Sequence, residues 1–140
     1  MSTLEPAEAR RRFAEGRVAR MATVGADGHP HVVPIVFAVD GDVVFSIVDP
    51  KPKRGPRLKR LANLEANPRV TLLVDHYVED WQSLWWVRAD GAATIEEDGP
   101  DRDRAIELLT SKYAQYREWT TPFGAAVLMR IDRWSSWSFD

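Results

Sequence analysis

The chain of 140 residues contains no cysteine, and this absence removes several functions at once. Disulfides, thiolate metal sites and cysteine nucleophiles are excluded, and a reducing cytoplasm is the natural location of such a protein. No stretch approaches the roughly 20 apolar residues of a membrane span, and residues 1–16 are charged where a secretory signal is apolar. The sequence therefore predicts a soluble, cytoplasmic protein without a membrane segment.

Signatures of catalysis by side chains are also missing. The sequence has no Gly-x-Ser-x-Gly elbow, no Walker loop and no GxGxxG turn. The histidines His29, His31 and His76 have no metal-ligand spacing among themselves or with carboxylates. We therefore predict no metal site, and no residue is predicted to act as catalytic acid, base or nucleophile.

Positive charge is concentrated in one segment, although the formal net charge of the chain is −2. The segment DPKPKRGPRLKRLAN, residues 49–63, has no acid between 51 and 60, where it carries Lys51, Lys53, Arg54, Arg57, Lys59 and Arg60. A solvated helix usually mixes charges of both signs, so this run favours an anion-binding surface. A solvated basic loop and helix surface is the alternative.

The second half of this segment, residues 56–67, has a helical pattern that begins near Pro56 and ends at Asn67. We expect its packed face to hold Leu58, Leu61 and Ala62, and its charged face to hold Lys59, Arg60 and Asn63. Free backbone N–H groups and the helix dipole favour an anion at the start of such a helix. The segment therefore predicts a phosphate site, with Lys53 and Arg54 close to the helix start.

Strand patterns with turn signals dominate the rest of the chain. A helix is predicted over residues 2–15, capped by Ser2 or Thr3, and is followed by antiparallel strands at 18–24, 29–39 and 43–48. After the basic segment, strands are predicted at 69–76 and 81–98. A helix at 101–117 and one or two closing strands from 125 complete the chain. Pro34 within a strand indicates an edge, a bulge or a backbone turned toward a ligand, and Gly91 indicates a bulge or bend. Six or seven strands with two or three helices predict a small antiparallel barrel, forming one domain over residues 1–140.

The order of these patterns resembles the pyridoxamine 5′-phosphate oxidase-like superfamily of split β-barrels. The similarity is carried by ARMATVGADGHPHVVPIVFAVDGDVVFSIVD, by a Lys/Arg loop followed by RLANLEANPRVTLLVD, and by WWVRADGAATI. Within the superfamily the chain is most similar to actinobacterial oxidoreductases that use the deazaflavin coenzyme F420. The resemblance implies a mainly β split barrel of the FMN-binding type, and a homodimer with two cofactor sites at the subunit interface.

The resemblance also implies a set of cofactor-binding residues. The ring is expected against the strand that contains His31, Pro34, Ile35 and Val36, and the phosphate and acidic tail against Lys53, Arg54, Arg57 and Arg60. Arg60 stands where relatives have the lysine of a K-x-x-N-L pattern completed here by Asn63, and arginine keeps the charge while adding a bidentate fork. The strand that relatives use at the dimer interface would carry Trp85, Trp86 and Arg88. A role in the dimer core alone is the alternative for the tryptophans.

A cofactor that performs the chemistry would account for an anion site without catalytic side chains. The leading hypothesis is an F420-dependent oxidoreductase that transfers a hydride to a small organic acceptor. An FMN oxidase or reductase of the same fold is the first alternative, and a non-catalytic carrier or sensor of a cofactor, haem or another anion is the second. A nucleic-acid partner is not expected, because the chain is acidic and the basic segment lacks interleaved aromatics.

Overall fold

The computed structural model describes residues 1–49, 58–120 and 122–140. These residues contain the strands β1 (Ala19–Val24), β2 (Pro30–Ile35), β3 (Ala38–Asp40), β4 (Val43–Ile47), β5 (Arg69–His76), β6 (Trp85–Glu96) and β7 (Ala126–Ser138). Their helices are α1 (Pro6–Glu15), α2 (Lys59–Ala66), α3 (Pro100–Lys112) and α4 (Ala114–Arg117), with a short 3-10 helix at Trp81–Ser83. The predicted mainly β class is confirmed, with four α-helices in place of two or three.

All seven strands belong to one antiparallel sheet in the order β2-β1-β5-β6-β7-β4-β3. Strands β2 and β3 therefore lie at opposite edges, although only Val36 and Phe37 separate them in the chain. The prediction of one strand over residues 29–39 is wrong for this reason. The chain turns a corner at Val36 and Phe37, so that β2 pairs with β1 and β3 pairs with β4.

The N-terminal helix is shorter than predicted. It begins at Pro6 with Glu5 in the cap position, and no side chain caps it. Neither Ser2 nor Thr3 caps the helix, because the backbone of Ser2 is hydrogen-bonded to the sheet. The Ser2 amide donates to the Ser138 carbonyl at 3.0 Å, at the end of β7.

The predicted bulge at Gly91 is confirmed. The register between β6 and β7 shifts between Asp90 and Gly91, and a Cβ at position 91 would collide with the carbonyl oxygen of Arg130. The predicted helix over residues 101–117 is divided at Tyr113, where an extended backbone ends α3 before α4 begins. The one or two closing strands predicted from residue 125 are a single strand, β7, which runs to Ser138.

Two groups of buried side chains hold the sheet and helices together. The larger group fills the barrel and includes Phe13, Met21, Phe37, Leu72 and Met129. The smaller group lies under α3 and α4 and includes Phe45, Ile47, Leu109, Tyr116 and Ala126. Each fully buried side chain of this size is worth roughly 1.5–3 kcal/mol. Strand β4 and the residues that follow β2 contribute side chains to both groups. A cleft can therefore form where the two groups meet.

Candidate functional site

A cleft of about 360 Å³ opens where the barrel edges meet α4. We call it the barrel-edge cleft. It is lined by Val18, Pro34, Ile35, Val36, Ser46, Ile47, Asp49, Arg60, Tyr113, Gln115, Tyr116 and Trp119. The fold thus brings Arg60 of the basic segment together with Pro34 and Ile35 of β2 and with Val36 of the corner. These three residues are separated from Arg60 by more than 20 positions in the sequence.

One wall of the barrel-edge cleft is aliphatic and comes from the ends of β2 and β4. Ile35 and Ile47 are buried, while Val36 is half-buried beside them. Pro34 precedes them on β2, which is an edge strand paired only with β1. An edge position is where proline is tolerated, because no neighbour on the outer side needs its missing N–H group.

The opposite wall is aromatic. Tyr116 and Trp119 meet edge to face with ring centroids 4.6 Å apart, and Phe123 packs against Tyr116 at 5.4 Å. Such edge-to-face packing restrains each ring and is worth roughly 0.5–1.5 kcal/mol per pair beyond buried area. Trp119 keeps 38% of its surface exposed, so this wall offers a flat apolar surface to a ligand.

Tyr113, Tyr116 and Trp119 were not among the predicted site residues. A signal was present, since tyrosine, tyrosine and tryptophan recur at positions 113, 116 and 119 with an interval of three residues. That interval keeps side chains on one side of a helical segment. The cleft residues Asp49 and Gln115 carried no comparable signal.

Arg60 supplies the positive charge of the cleft. Its guanidinium is half-buried, and burial lowers its pKa, while the carboxylate of Asp49 opposes that shift. An arginine remains charged under any ordinary condition, so this is a partly desolvated cation. A desolvated cation attracts an anion more strongly than an exposed one, because less water screens the charge.

Tyr116 supplies a neutral hydroxyl to the same space. Burial, followed by the nearby Asp49 carboxylate, raises the pKa of Tyr116 to about 12. The phenol is therefore protonated at neutral pH and can donate a hydrogen bond. The cleft combines a cation, the Asp49 carboxylate, a neutral donor and two apolar walls.

Asn63 lies away from the barrel-edge cleft, which corrects its predicted place on the charged face of α2. Its side chain is 2% exposed, and its Nδ2 donates to Oγ1 of Thr23 at 3.0 Å. The end of β1 and the following Gly25 cover this side of the helix. Ala62, predicted to pack, is exposed instead. Helical periodicity alone could not reveal that a turn from elsewhere in the chain covers Asn63.

The remaining predicted residues lie in other places. His31 is half-buried on β2 opposite Thr23, and its Nδ1 has no hydrogen-bond partner among the described residues. Trp85 lines a wider cleft of about 870 Å³ beside α1, where the Arg12 guanidinium lies 5.3 Å from its ring. The predicted phosphate-binding residues Lys53, Arg54 and Arg57 lie outside the described residues.

Trp86 and Arg88 lie together in a third place, a groove of about 380 Å³ on the outer face of the sheet. The Arg88 guanidinium lies 5.4 Å from the Trp86 ring. Arg20, Val32 and Leu73 also line this outer groove, and Val32 is 61% exposed. The three predicted residues of the WWVR stretch thus belong to two surfaces, because alternate residues of a strand point to opposite faces.

Over residues 1–49, 58–120 and 122–140, no group of three histidine or acidic side chains is arranged to hold a metal ion. In the same ranges, no helix has the length and apolar character needed to cross a membrane.

The family model of pyridoxamine 5′-phosphate oxidase matches residues 6–138 of the chain. The chain belongs to this family. The match confirms the predicted split-barrel fold, because it spans the sheet from α1 to the end of β7. No curated protein matches the chain.

Solved structures of similar fold include proteins with different ligands. An FAD-binding protein from Mesorhizobium loti is 25% identical, with a TM-score of 0.71 over 96% of this chain and 93% of that chain. A conserved hypothetical protein from Mycobacterium tuberculosis is 21% identical, with a TM-score of 0.78 over 96% and 85%. A haem storage protein from Vibrio cholerae is 17% identical, with a TM-score of 0.68 over 92% of both chains. The last two similarities concern the fold alone.

Proposed function

We propose that the protein is an oxidoreductase that binds a phosphate-bearing flavin or deazaflavin in the barrel-edge cleft, with F420 as the first candidate. The observation that carries this proposal is the convergence of an aliphatic wall, an aromatic wall and the half-buried Arg60 in one cleft. A volume of about 360 Å³ lies within the usual range of cofactor sites. Flat apolar walls suit a tricyclic ring, and the cation suits a phosphate.

A bound flavin or deazaflavin would supply the hydride chemistry, which no side chain of the cleft provides. The residues of the cleft then have three tasks. Ile35 and Val36 position the ring, Tyr116 and Trp119 exclude water from its other face, and Arg60 holds the phosphate. The protonated Tyr116 hydroxyl adds a hydrogen-bond donor beside the ring.

The charge of the basic segment supports F420 over FMN. F420 carries a phosphodiester and an acidic tail, whereas FMN carries a single phosphate that needs fewer than six cations. Lys59 and Arg60 are the described members of this segment, and both belong to the first turn of α2. The similarity to an FAD-binding protein supports a flavin as the second candidate. In either case the acceptor is a small organic molecule.

We also propose a homodimer in which a second copy of the chain covers the outer groove. Val32 and Trp86 present apolar surface there, and Arg88 provides a polar edge. Aromatic residues and arginine are enriched at such interfaces. The mass of the protein in solution, measured by light scattering with and without cofactor, tests this arrangement. A monomer at every concentration would contradict it.

A competition titration tests the proposed function. Quenching of tryptophan fluorescence is followed as F420, FMN or haem is added, and the winning ligand is then displaced by the others. Saturable binding of F420 or FMN supports the proposal, and the tighter ligand identifies the cofactor. Tight binding of haem alone would contradict it. Binding without turnover across a broad panel of electron acceptors would favour a carrier over an enzyme.

A further inference from the structure

Lys112, the last residue of α3, is held in an unusual environment for a lysine. Its ammonium donates hydrogen bonds to the carbonyls of Ala14 at 3.0 Å, Gly16 at 2.7 Å and Phe37 at 2.9 Å. It also lies 4.0 Å from the centre of the Phe37 ring. One side chain therefore joins the end of α1, the corner between β2 and β3, and the end of α3.

The next residue, Tyr113, binds the same corner. Its hydroxyl accepts a hydrogen bond of 3.2 Å from the Phe37 amide and lies 3.0 Å from the Phe37 carbonyl. The hydroxyl is also 2.9 Å from the carbonyl of Arg17, whose guanidinium lies 4.4 Å from the Tyr113 ring. Both polar groups of the Phe37 peptide thus have side-chain partners.

These contacts are explained by the position of Phe37 in the barrel. Phe37 lies between the two edge strands and belongs to neither ladder. A buried backbone amide or carbonyl without a partner is destabilising, so a fully buried corner residue needs partners from elsewhere. Lys112 and Tyr113 provide them.

We propose that Lys112 and Tyr113 are positioning residues that set the separation between the two walls of the barrel-edge cleft. Val36, on the aliphatic wall, directly precedes the restrained Phe37 peptide. Tyr113 itself lines the cleft and is followed by α4, which carries Tyr116 on the aromatic wall. Lys112 and Tyr113 therefore hold the backbone next to the aliphatic wall, while the chain that follows them forms the aromatic wall.

The choice of lysine at this position supports the inference. Every other lysine of the sequence lies between residues 51 and 59, and all other basic positions are arginine. A compact ammonium has three donors that can point to three separate carbonyls, whereas the planar fork of a guanidinium suits a pair of acceptors in one plane. The three carbonyls around Lys112 match the ammonium.

Amide hydrogen exchange in the ligand-free protein tests the restraint itself. We expect Tyr113→Phe to accelerate exchange of the Phe37 amide by up to about tenfold, because the amide loses its acceptor. We expect Lys112→Met to accelerate exchange at Val36 and Phe37. Arg117→Met is the matched control, since Arg117 also donates to carbonyls near the end of α3, those of Thr110 and Ser111, without contacting Phe37. Unchanged exchange in both test variants would overturn the proposal.

The effect on ligand binding rests on the proposed function and is measured separately, with FMN and F420 as the probes. Lys112→Met and Tyr113→Phe should each weaken binding by about tenfold or more. Arg11→Met, on α1 where Arg11 pairs with Glu8 and Glu15, should leave binding unchanged. Faster exchange at Phe37 with unaltered binding would overturn the positioning role. If the wild-type protein binds neither probe, the proposed function fails, whereas the exchange experiment still decides whether the restraint exists. Should Lys112→Met fail to fold, the milder Tyr113→Phe decides both outcomes.

Discussion

Nδ2 of Asn63 donates a 3.0 Å hydrogen bond to Oγ1 of Thr23, and both side chains are buried. This contact joins the middle of α2 to the end of β1. Arg60 lies three residues earlier on the same helix and reaches the barrel-edge cleft. A hydrogen bond inside the core therefore helps to place the cation that the proposed phosphate site requires.

The buried pair gives the first prediction. Asn63→Ala should lower the free energy of unfolding by about 1–3 kcal/mol, because Thr23 loses its partner and the buried space is left partly empty. Urea unfolding measures the loss in the free energy of unfolding. A double-mutant cycle of Asn63→Ala, Thr23→Val and the double variant shows how much of that loss is due to the hydrogen bond. A weaker cofactor affinity with unchanged stability would instead return Asn63 to the direct binding role implied by the family pattern.

The second prediction concerns the charge of the cleft. Arg60→Gln should weaken binding of a phosphate-bearing cofactor by at least about 2 kcal/mol, or roughly 30-fold, because the bound phosphate loses its partly desolvated cation. Lys59→Gln is the control, since Lys59 is the exposed neighbour on the same helix and should change affinity by less than about 1 kcal/mol. Isothermal titration compares the two variants. Equal losses would show that general positive charge, and not Arg60, attracts the ligand.

The fold was largely predictable because its signals are local. Alternating strands, the turn at Asp27-Gly28 and the bulge at Gly91 each depend on a few neighbouring residues. The corner at Val36 and Phe37 was not predictable in this way. Residues 29–39 read as one uninterrupted strand, and the partners that satisfy the Phe37 peptide are more than 70 positions away.

The candidate site was predictable only in part, for a related reason. The resemblance named Pro34, Ile35, Val36 and Arg60, which the fold assembles in one cleft. It could not reveal the aromatic wall, because Tyr116 and Trp119 lie on and just after α4, which the break at Tyr113 separates from α3. The resemblance also grouped Trp85 with Trp86, although alternation along the strand directs their side chains to different surfaces.

A third prediction concerns the bulge in β6. Gly91→Ala should lower the free energy of unfolding by about 1–3 kcal/mol or more, because its Cβ would collide with the rigid backbone carbonyl of Arg130. Gly41→Asn is the matched control at a turn with open space around it and a φ of 61°. Asparagine tolerates this left-handed conformation, so the control should remain near wild-type stability. Thermal and urea unfolding measure the stability of both variants. Equal losses of stability in Gly91→Ala and Gly41→Asn would contradict the steric explanation.

The fourth prediction is a pH dependence due to Lys112. Burial, followed by the charge of Arg17, lowers the pKa of Lys112 to about 8 from an ordinary value of 10.5. Between these two values the unfolded chain holds a proton that the folded protein has released. The contribution of Lys112 to the free energy of unfolding should therefore increase with pH across this window.

Urea unfolding of the wild-type protein and of Lys112→Met at a series of pH values measures this contribution as the difference between the two curves. The difference should change between about pH 8 and 10.5 and stay level below that window. Parallel curves across the whole range would show that Lys112 titrates as an ordinary exposed lysine.

Three tryptophans report separately on three of the surfaces that the described residues form. Trp119 lines the barrel-edge cleft, Trp85 lines the cleft beside α1, and Trp86 lines the outer groove. Their indole N–H signals in a nitrogen-15 correlation spectrum can be followed while FMN or F420 is added to the intact protein. A saturable shift that is largest for Trp119 is the result we predict. A shift of Trp85 or Trp86 with an unmoved Trp119 signal would contradict the assignment of the barrel-edge cleft as the cofactor site.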